Sequence, residues 1–94
     1  MGQFNWSTAK NQMLIGERGI SFERIVAAIE QGHLVDVFDH PNQQKYPGQL
    51  IYGVEVDRYI YLVPLVLGED GDRFLKTIIP SRRATRDYDE GGSR

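Results

Sequence analysis

Two successive segments of this chain share one pattern, in which a serine is followed by a run with helical periodicity and then by a glycine. Ser7 and Gly19 bracket the first run, and Ser21 and Gly32 bracket the second. A serine side chain accepts hydrogen bonds from the free N–H groups at the start of a helix, and glycine adopts the left-handed conformation that often ends one. The pattern therefore predicts an antiparallel pair of helices with a very short connection.

The apolar residues of both predicted helices fall at the spacing of one helical face. The first helix begins at Ser7 or Thr8 and runs to about Arg18, and the second spans residues 22–31. The inward-facing residues are Trp6, Ala9, Met13 and Leu14 in the first helix and Phe22, Ile25, Val26 and Ile29 in the second. Both helices should therefore pack one face against a common core.

The rest of the chain alternates between strand-like runs and turn residues. The predicted strands cover residues 33–40, 50–56, 59–67 and 74–79. The segment 41–48 reads as a polar loop and Asp57-Arg58 as a tight turn, while Pro64 predicts an edge or a bulge in the third strand. This order predicts an α+β domain, with two N-terminal helices on one face of a four-stranded antiparallel sheet.

A chain of 94 residues is long enough for one hydrophobic core. We expect a single domain over residues 1–88 and a flexible tail over 89–94. The predicted core residues are Trp6, Phe22, Ile25, Val26, Ile29, Val37, Leu62, Val63 and Ile78.

The composition narrows the functional classes. Cysteine is absent, which excludes disulfides and thiolate metal sites and favours the cytoplasm. No apolar run is long enough to span a bilayer, so we expect no membrane association. His33 and His40 would point to opposite faces of one strand, so two solvated histidines are favoured over a metal site. We expect neither a metal nor another cofactor.

Cations cluster after the last predicted strand, in a protein with a net charge of −2. Arg82, Arg83 and Arg86 follow Pro80 closely, and Lys76 lies just before it. Guanidinium groups donate hydrogen bonds in a fork that matches phosphate oxygens. The cluster therefore indicates a phosphate ligand, although the arginines could instead pair with the acids at 87, 89 and 90.

Three stretches of the sequence resemble the BrnT toxins of bacterial type II toxin–antitoxin pairs. They are Phe4-x-Trp6-Ser7-x-x-Lys10, residues 19–23 (GISFE) and residues 78–85 (IIPSRRAT). Departures occur at Ser7, where the family usually has aspartate, at residues 17–18, where it has Lys-His, and at Thr77, where an arginine is common.

The resemblance implies a RelE-like domain that cleaves RNA without a metal ion and arrests growth. It also implies a cognate antitoxin, of the ribbon-helix-helix type, through which alone the toxin would meet operator DNA. Arg82, Arg83 and Lys10 match family positions, and Lys76, Tyr46, Lys45 and Arg58 are further candidates. We assign catalysis to Arg82, Arg83, Lys76 and Tyr46 and RNA binding to Lys10, Lys45, Arg58 and Arg86.

The identity of the general base is open at this level, with His40, Tyr46 and Tyr88 as candidates. Two other functions are also open. One is a catalytically inert interaction module with a toxin-like fold, and the other is a small regulatory domain that binds nucleic acid without cutting it.

Overall fold

The structure, a computed structural model, describes residues 2–92. Within that range the chain forms three helices and six strands. In chain order they are β1 (Phe4–Asn5), α1 (Thr8–Arg18), α2 (Phe22–Glu30), β2 (Leu34–Asp39), β3 (Gln49–Val56), β4 (Tyr59–Leu67), β5 (Arg73–Leu75), β6 (Ile79–Pro80) and α3 (Arg82–Gly92).

The two N-terminal helices are confirmed, together with their capping residues. The Ser7 hydroxyl accepts a hydrogen bond from the N–H of Lys10 at 3.2 Å, and the Ser21 hydroxyl accepts one from Arg24 at 3.0 Å. Gly19 ends α1 with φ +67°, a conformation that costs a residue with a side chain more than glycine. The serine and glycine pattern therefore acts as predicted.

A buried polar residue joins the two helices. Asn11 of α1 is buried, and its side-chain NH₂ donates to Glu23 Oε1 at 2.7 Å. Its side-chain oxygen accepts from the N–H of Phe22, the first residue of α2, at 2.8 Å. The bond from Asn11, together with one from the backbone N–H of Glu23 itself, lowers the pKa of the Glu23 carboxyl below its ordinary value.

The sheet is mixed, and this corrects the predicted four-stranded antiparallel meander. Its strand order is β1-β5-β4-β3-β2, and β6 also pairs with β4. All pairs are antiparallel except β1 with β5, which places Phe4 beside Arg73 in parallel register. With only two residues, β1 is too short to give a periodic signal in the sequence.

The predicted strand 74–79 is broken in the middle, next to Pro64. Leu75 pairs with Leu65, and Ile79 pairs with Leu62. The chain therefore advances four residues from Leu75 to Ile79 while β4 advances only three. Pro64 has no N–H, and its carbonyl accepts from Lys76 at 2.8 Å on this side of the strand. The ladder is therefore interrupted at Pro64, in line with the bulge that this proline predicts.

The helix α3 was not predicted, and it covers part of the second face of the sheet. The first face carries the main core, in which Phe22, Ile25, Val54 and Val63 are fully buried. Successive residues of a strand point to opposite faces, so Ile60 and Leu62 of β4 lie on the other face, toward α3. The sheet is thus covered on both sides.

Four of the predicted core residues, Phe22, Ile25, Val63 and Ile78, are fully buried. Trp6, Val26 and Ile29 are partly buried against the core, and Trp6 stacks on Phe22 with ring centres 5.6 Å apart. Leu62 is partly buried on the second face. Val37 is 50% exposed, so its assignment to the core was wrong. The edge position of β2 explains this, because a neighbouring strand flanks Val37 on one side only.

Two other features bear on the predicted boundaries. Residues 89–92 belong to α3, so the domain boundary expected at residue 88 falls inside a helix. Residues 93 and 94 of the predicted tail lie outside the described residues. None of the helices between residues 2 and 92 is long and apolar enough to cross a membrane.

Candidate nucleic-acid interface

The helix α3 begins at a serine cap that fixes its first turn. The Ser81 hydroxyl accepts from the N–H of Ala84 at 3.0 Å, and the Ser81 carbonyl accepts from the N–H of Thr85 at 3.0 Å. The Thr85 hydroxyl also donates to that carbonyl at 2.7 Å. These bonds replace the helical partners that the first turn lacks, so the helix starts directly after β6.

The same turn is tied to the central part of the sheet. The N–H of Ile60 on β4 donates to the Thr85 hydroxyl at 2.8 Å, and the N–H of Ser81 donates to the Ile60 carbonyl at 3.1 Å. Ile60 itself is buried. The arginines next to Ser81 therefore stand on a fixed support rather than on a mobile tail.

Arg82, Arg83 and Arg86 are all exposed on the first turns of α3. Between residues 2 and 92, ion pairs form at Arg24 with Asp57 and at His33 with Glu55, and none involves these three arginines. No acidic residue occupies the first turn of α3. The alternative pairing of these arginines with Asp87 and Asp89 is therefore absent from the described residues.

A groove of about 390 Å³ runs along the second face of the sheet beside α3. Its floor is apolar and includes Gly53, Ile60 and Leu62. Gly53 leaves little room there, since a Cβ on it would lie 3.2 Å from the Cβ of Asp36. The charged and ring-bearing residues around the groove are Asp36, Phe38, Arg83, Asp87 and Tyr88.

Among the predicted site residues outside α3, Arg58 and Lys76 lie nearer to this helix than Lys10, Lys45 and Tyr46 do. Arg58 sits in the tight turn between β3 and β4 with φ +69°, two residues before Ile60, on which α3 is anchored. Lys76 follows β5 and holds its ammonium 5.5 Å from the centre of the Phe74 ring. Arg58 therefore shares one end of the sheet with the arginines of α3, and Lys76 lies between the two ends.

Tyr46 and Lys45 lie at the opposite end of the sheet. The rings of Tyr46 and His40 contact each other at a tilt of 38°, with centres 4.5 Å apart, and the Lys45 ammonium is 5.4 Å from the centre of the Tyr46 ring. Their loop leads into Gln49, which pairs with Val66, whereas Pro80 pairs with Tyr61. Those two positions on β4 are five residues apart, about 17 Å at a strand rise of about 3.4 Å.

Lys10 also belongs to that far end. It lies in the first turn of α1, which follows β1, and β1 pairs with Arg73 beside Leu67. The structure therefore places Arg82, Arg83, Arg86 and Arg58 at one end of the sheet and leaves Lys10, Lys45 and Tyr46 at the other.

Several arginine contacts were missed by sequence reasoning. The Arg73 guanidinium lies 3.9 Å from the centre of the Phe4 ring, and it donates to the Tyr52 hydroxyl at 3.4 Å. Arg18 of α1 donates to the carbonyl of Ile78. All three contacts join residues far apart in sequence, so no local pattern could have indicated them.

One acid–base pair was also missed, at the same end of the sheet as α3. His33 Nδ1 lies 3.9 Å from Glu55 Oε1, and the other oxygen of Glu55 accepts from the N–H of Arg58 at 3.0 Å. In the part of the chain that the structure describes, no three histidine, aspartate or glutamate residues form a group able to hold a metal ion.

Comparisons with protein-family models, with curated proteins and with solved structures gave no match to this chain. The functional interpretation therefore depends on the residues themselves and on the resemblance of the three short stretches.

Proposed function

We propose that this chain is the toxin of a toxin–antitoxin pair, which binds single-stranded RNA along the α3 groove and cleaves it. The observation that carries the proposal is the position of Arg82, Arg83 and Arg86. They are exposed, they have no ion-pair partner among residues 2–92, and they occupy the first turns of a helix.

Stability alone does not account for that position. The N-terminus of a helix carries partial positive charge and favours acidic side chains, by about 0.3–1 kcal/mol for each charge. Arg82 and Arg86 are four residues apart, so they also repel each other along one side of α3. An anion at this turn would offset both costs, and a phosphate diester is an anion that guanidinium groups bind in fork geometry.

The groove next to these arginines suits the bases of a single strand. Its apolar floor is bordered by Phe38 and Tyr88, rings on which unpaired bases can stack. RNA cleavage without a metal proceeds by attack of the 2′-hydroxyl on the neighbouring phosphate, and cations stabilise the charge that develops on that phosphate. Arg82 and Arg83 would supply those cations.

The proposal includes an antitoxin as partner. An acidic or amphipathic segment that covers Arg82 to Arg86 would neutralise the cations and exclude RNA at once. The resemblance to BrnT toxins favours a ribbon-helix-helix antitoxin, and contact with operator DNA would then occur through that partner.

A second candidate function, the inert interaction module, is favoured by the free edge of the sheet. Strand β2 is an edge strand, and its Val37 and Phe38 are 50% and 36% exposed. An exposed apolar edge is a surface to which another protein can add a strand. If the chain is such an interaction module, the α3 arginines serve only to bind the partner protein.

Induced expression, with and without the neighbouring gene for a ribbon-helix-helix protein, tests the proposal. The parent chain should arrest growth alone and not with its partner. Arg82→Ala and Arg83→Ala should each relieve the arrest, because a lost phosphate contact weakens stabilisation of the transition state. The matched control is Arg24→Ala, an equally charged residue that already pairs with Asp57 at 3.3 Å.

Three results would count against the proposal. Growth without arrest for a folded parent chain would favour the inert module. Arrest that persists in both arginine variants would remove α3 from the site. Arrest that is lost in Lys45→Ala and Tyr46→Phe instead would move the site to the loop at residues 41–48.

A further inference from the structure

The His33–Glu55 pair places a carboxylate beside an imidazole, within ion-pair distance. The N–H of Glu55 donates to the His33 carbonyl at 3.0 Å, so the two residues lie side by side at the start of β2 and the end of β3. One carboxylate oxygen of Glu55 is held by the N–H of Arg58 at 3.0 Å, and the other lies 3.9 Å from His33 Nδ1. The carboxylate is therefore fixed on one side and faces the imidazole on the other.

This pair lies next to the start of α3. Glu55 is directly opposite Ile60 in the pairing of β3 with β4, and Ile60 carries both hydrogen bonds that anchor α3. Side chains of directly opposite residues share a face of the sheet, at a Cβ separation of about 5 Å. Since Ile60 and Arg83 both line the groove, the Glu55 side chain points to the face that carries the groove.

The pair is also open to a ligand. The side chain of His33 is 42% exposed and that of Glu55 is 21% exposed. Because Nδ1 faces the carboxylate, Nε2 is the nitrogen available to a substrate. A carboxylate that faces the second nitrogen of a general-base histidine orients the ring, and such contacts are often long without substrate and shorten to a hydrogen bond when it binds.

We infer that His33 is the general base for RNA cleavage at the α3 groove, with Glu55 as the residue that positions its ring. This inference depends on the proposed ribonuclease function and supplies the proton acceptor that the arginines cannot provide. It also selects one end of the sheet, since His40 and Tyr46 lie at the other end.

The cleavage step needs no reactant besides the RNA and a water molecule. His33 Nε2 accepts the proton of the 2′-hydroxyl, and the 2′-oxygen forms a bond to phosphorus while Arg83 stabilises the charge on the phosphate oxygens. The bond from phosphorus to the 5′-oxygen breaks, and that oxygen takes a proton from water. The water is regenerated when the protonated imidazole returns its proton to the hydroxide. The products are a 2′,3′-cyclic phosphate and a 5′-hydroxyl.

The test uses the full chain with a single-stranded RNA oligonucleotide. His33→Ala should lower the cleavage rate by about 100-fold or more, the usual range for loss of a general base. Binding of the same oligonucleotide with 2′-deoxy sugars, which cannot be cleaved, should stay within about twofold, because the base contributes little to ground-state binding. Added imidazole should restore part of the rate, which a structural role for His33 does not predict.

A second variant tests the positioning residue. Glu55→Gln keeps an oxygen for the Arg58 N–H but presents an amide to Nδ1, so kcat should fall by about tenfold or more with KM unchanged. The matched control is His40→Ala, which removes the chain's other histidine at the far end of the sheet and should leave cleavage unchanged. If His33→Ala fails to fold, His33→Asn replaces it.

The results distinguish a wrong assignment of His33 from a wrong assignment of ribonuclease function. Cleavage by the parent that is unchanged in His33→Ala, or that is lost without any rescue by imidazole, overturns the role of His33 alone. Loss in His40→Ala instead of His33→Ala also overturns it. A parent chain that cuts no RNA overturns the proposed function, and the inference falls with it.

Discussion

Replacing Arg82 by glutamate should stabilise the protein while removing its proposed activity. The change deletes a cation from the first residue of α3 and places a carboxylate there, and the helix N-terminus makes each of these worth about 0.3–1 kcal/mol. It also replaces the repulsion between Arg82 and Arg86 by an attraction, at about 0.2–0.5 kcal/mol for each contribution. Because exposed charges are screened, we expect a net gain of about 1 kcal/mol in the free energy of unfolding.

Urea denaturation and thermal melting measure this gain. For a domain of this size the melting temperature should rise by about 4–8 °C, and the gain should shrink at high ionic strength. Lys45→Glu, in a loop without a helix terminus, is the control and should not stabilise. A less stable Arg82→Glu protein would mean that Arg82 makes a structural contact. A more stable protein that still cuts RNA would refute the assignment of Arg82 to phosphate.

Two further predictions concern the junction of α1 and α2. Asn11→Ala leaves the N–H of Phe22 without its acceptor in a buried site. The free energy of unfolding should therefore fall by about 2 kcal/mol and the melting temperature by about 10 °C. An unchanged melting temperature would show that water or another group replaces the amide. The folded-state pKa of Glu23 lies below its unfolded value, so its ionised carboxylate stabilises the fold above the unfolded pKa, and this contribution disappears as the pH falls through the folded-state pKa. Denaturation of Glu23→Gln across that acidic range should therefore show a weaker loss of stability than the parent, and equal slopes would contradict the assignment.

The N-terminal helices could be predicted from the sequence because their signals are local. Ser7, Gly19 and Ser21 act within one turn of the helix that they cap or end. The strand β4 was predicted with its true limits because turn residues border a long apolar run at both ends. These features depend on short-range chemistry alone.

The elements that could not be predicted from the sequence depend on long-range contacts. The parallel pairing of Phe4 with Arg73 joins residues near opposite ends of the chain, and two residues carry no periodic pattern. Helix α3 has the cap Ser81 in its sequence, but its polar composition resembles a tail, and only the bonds to Ile60 fix it on the sheet. The composition of the candidate site differs from the prediction for the same reason, since sheet pairing separates Tyr46 from Arg82 and places His33 and Glu55 at the end of the sheet where α3 begins.

Cleavage of a labelled single-stranded RNA by the purified chain, in the presence of a chelator, tests the central claim most directly. The parent should produce fragments that end in a 2′,3′-cyclic phosphate. At equal concentration of folded protein, the double variant Arg82→Ala/Arg83→Ala should cut at least about tenfold more slowly. That factor corresponds to a loss of about 1.4 kcal/mol of transition-state stabilisation. A parent that leaves the RNA intact, or a double variant that cuts as fast as the parent, would contradict the assignment of the α3 arginines to RNA cleavage.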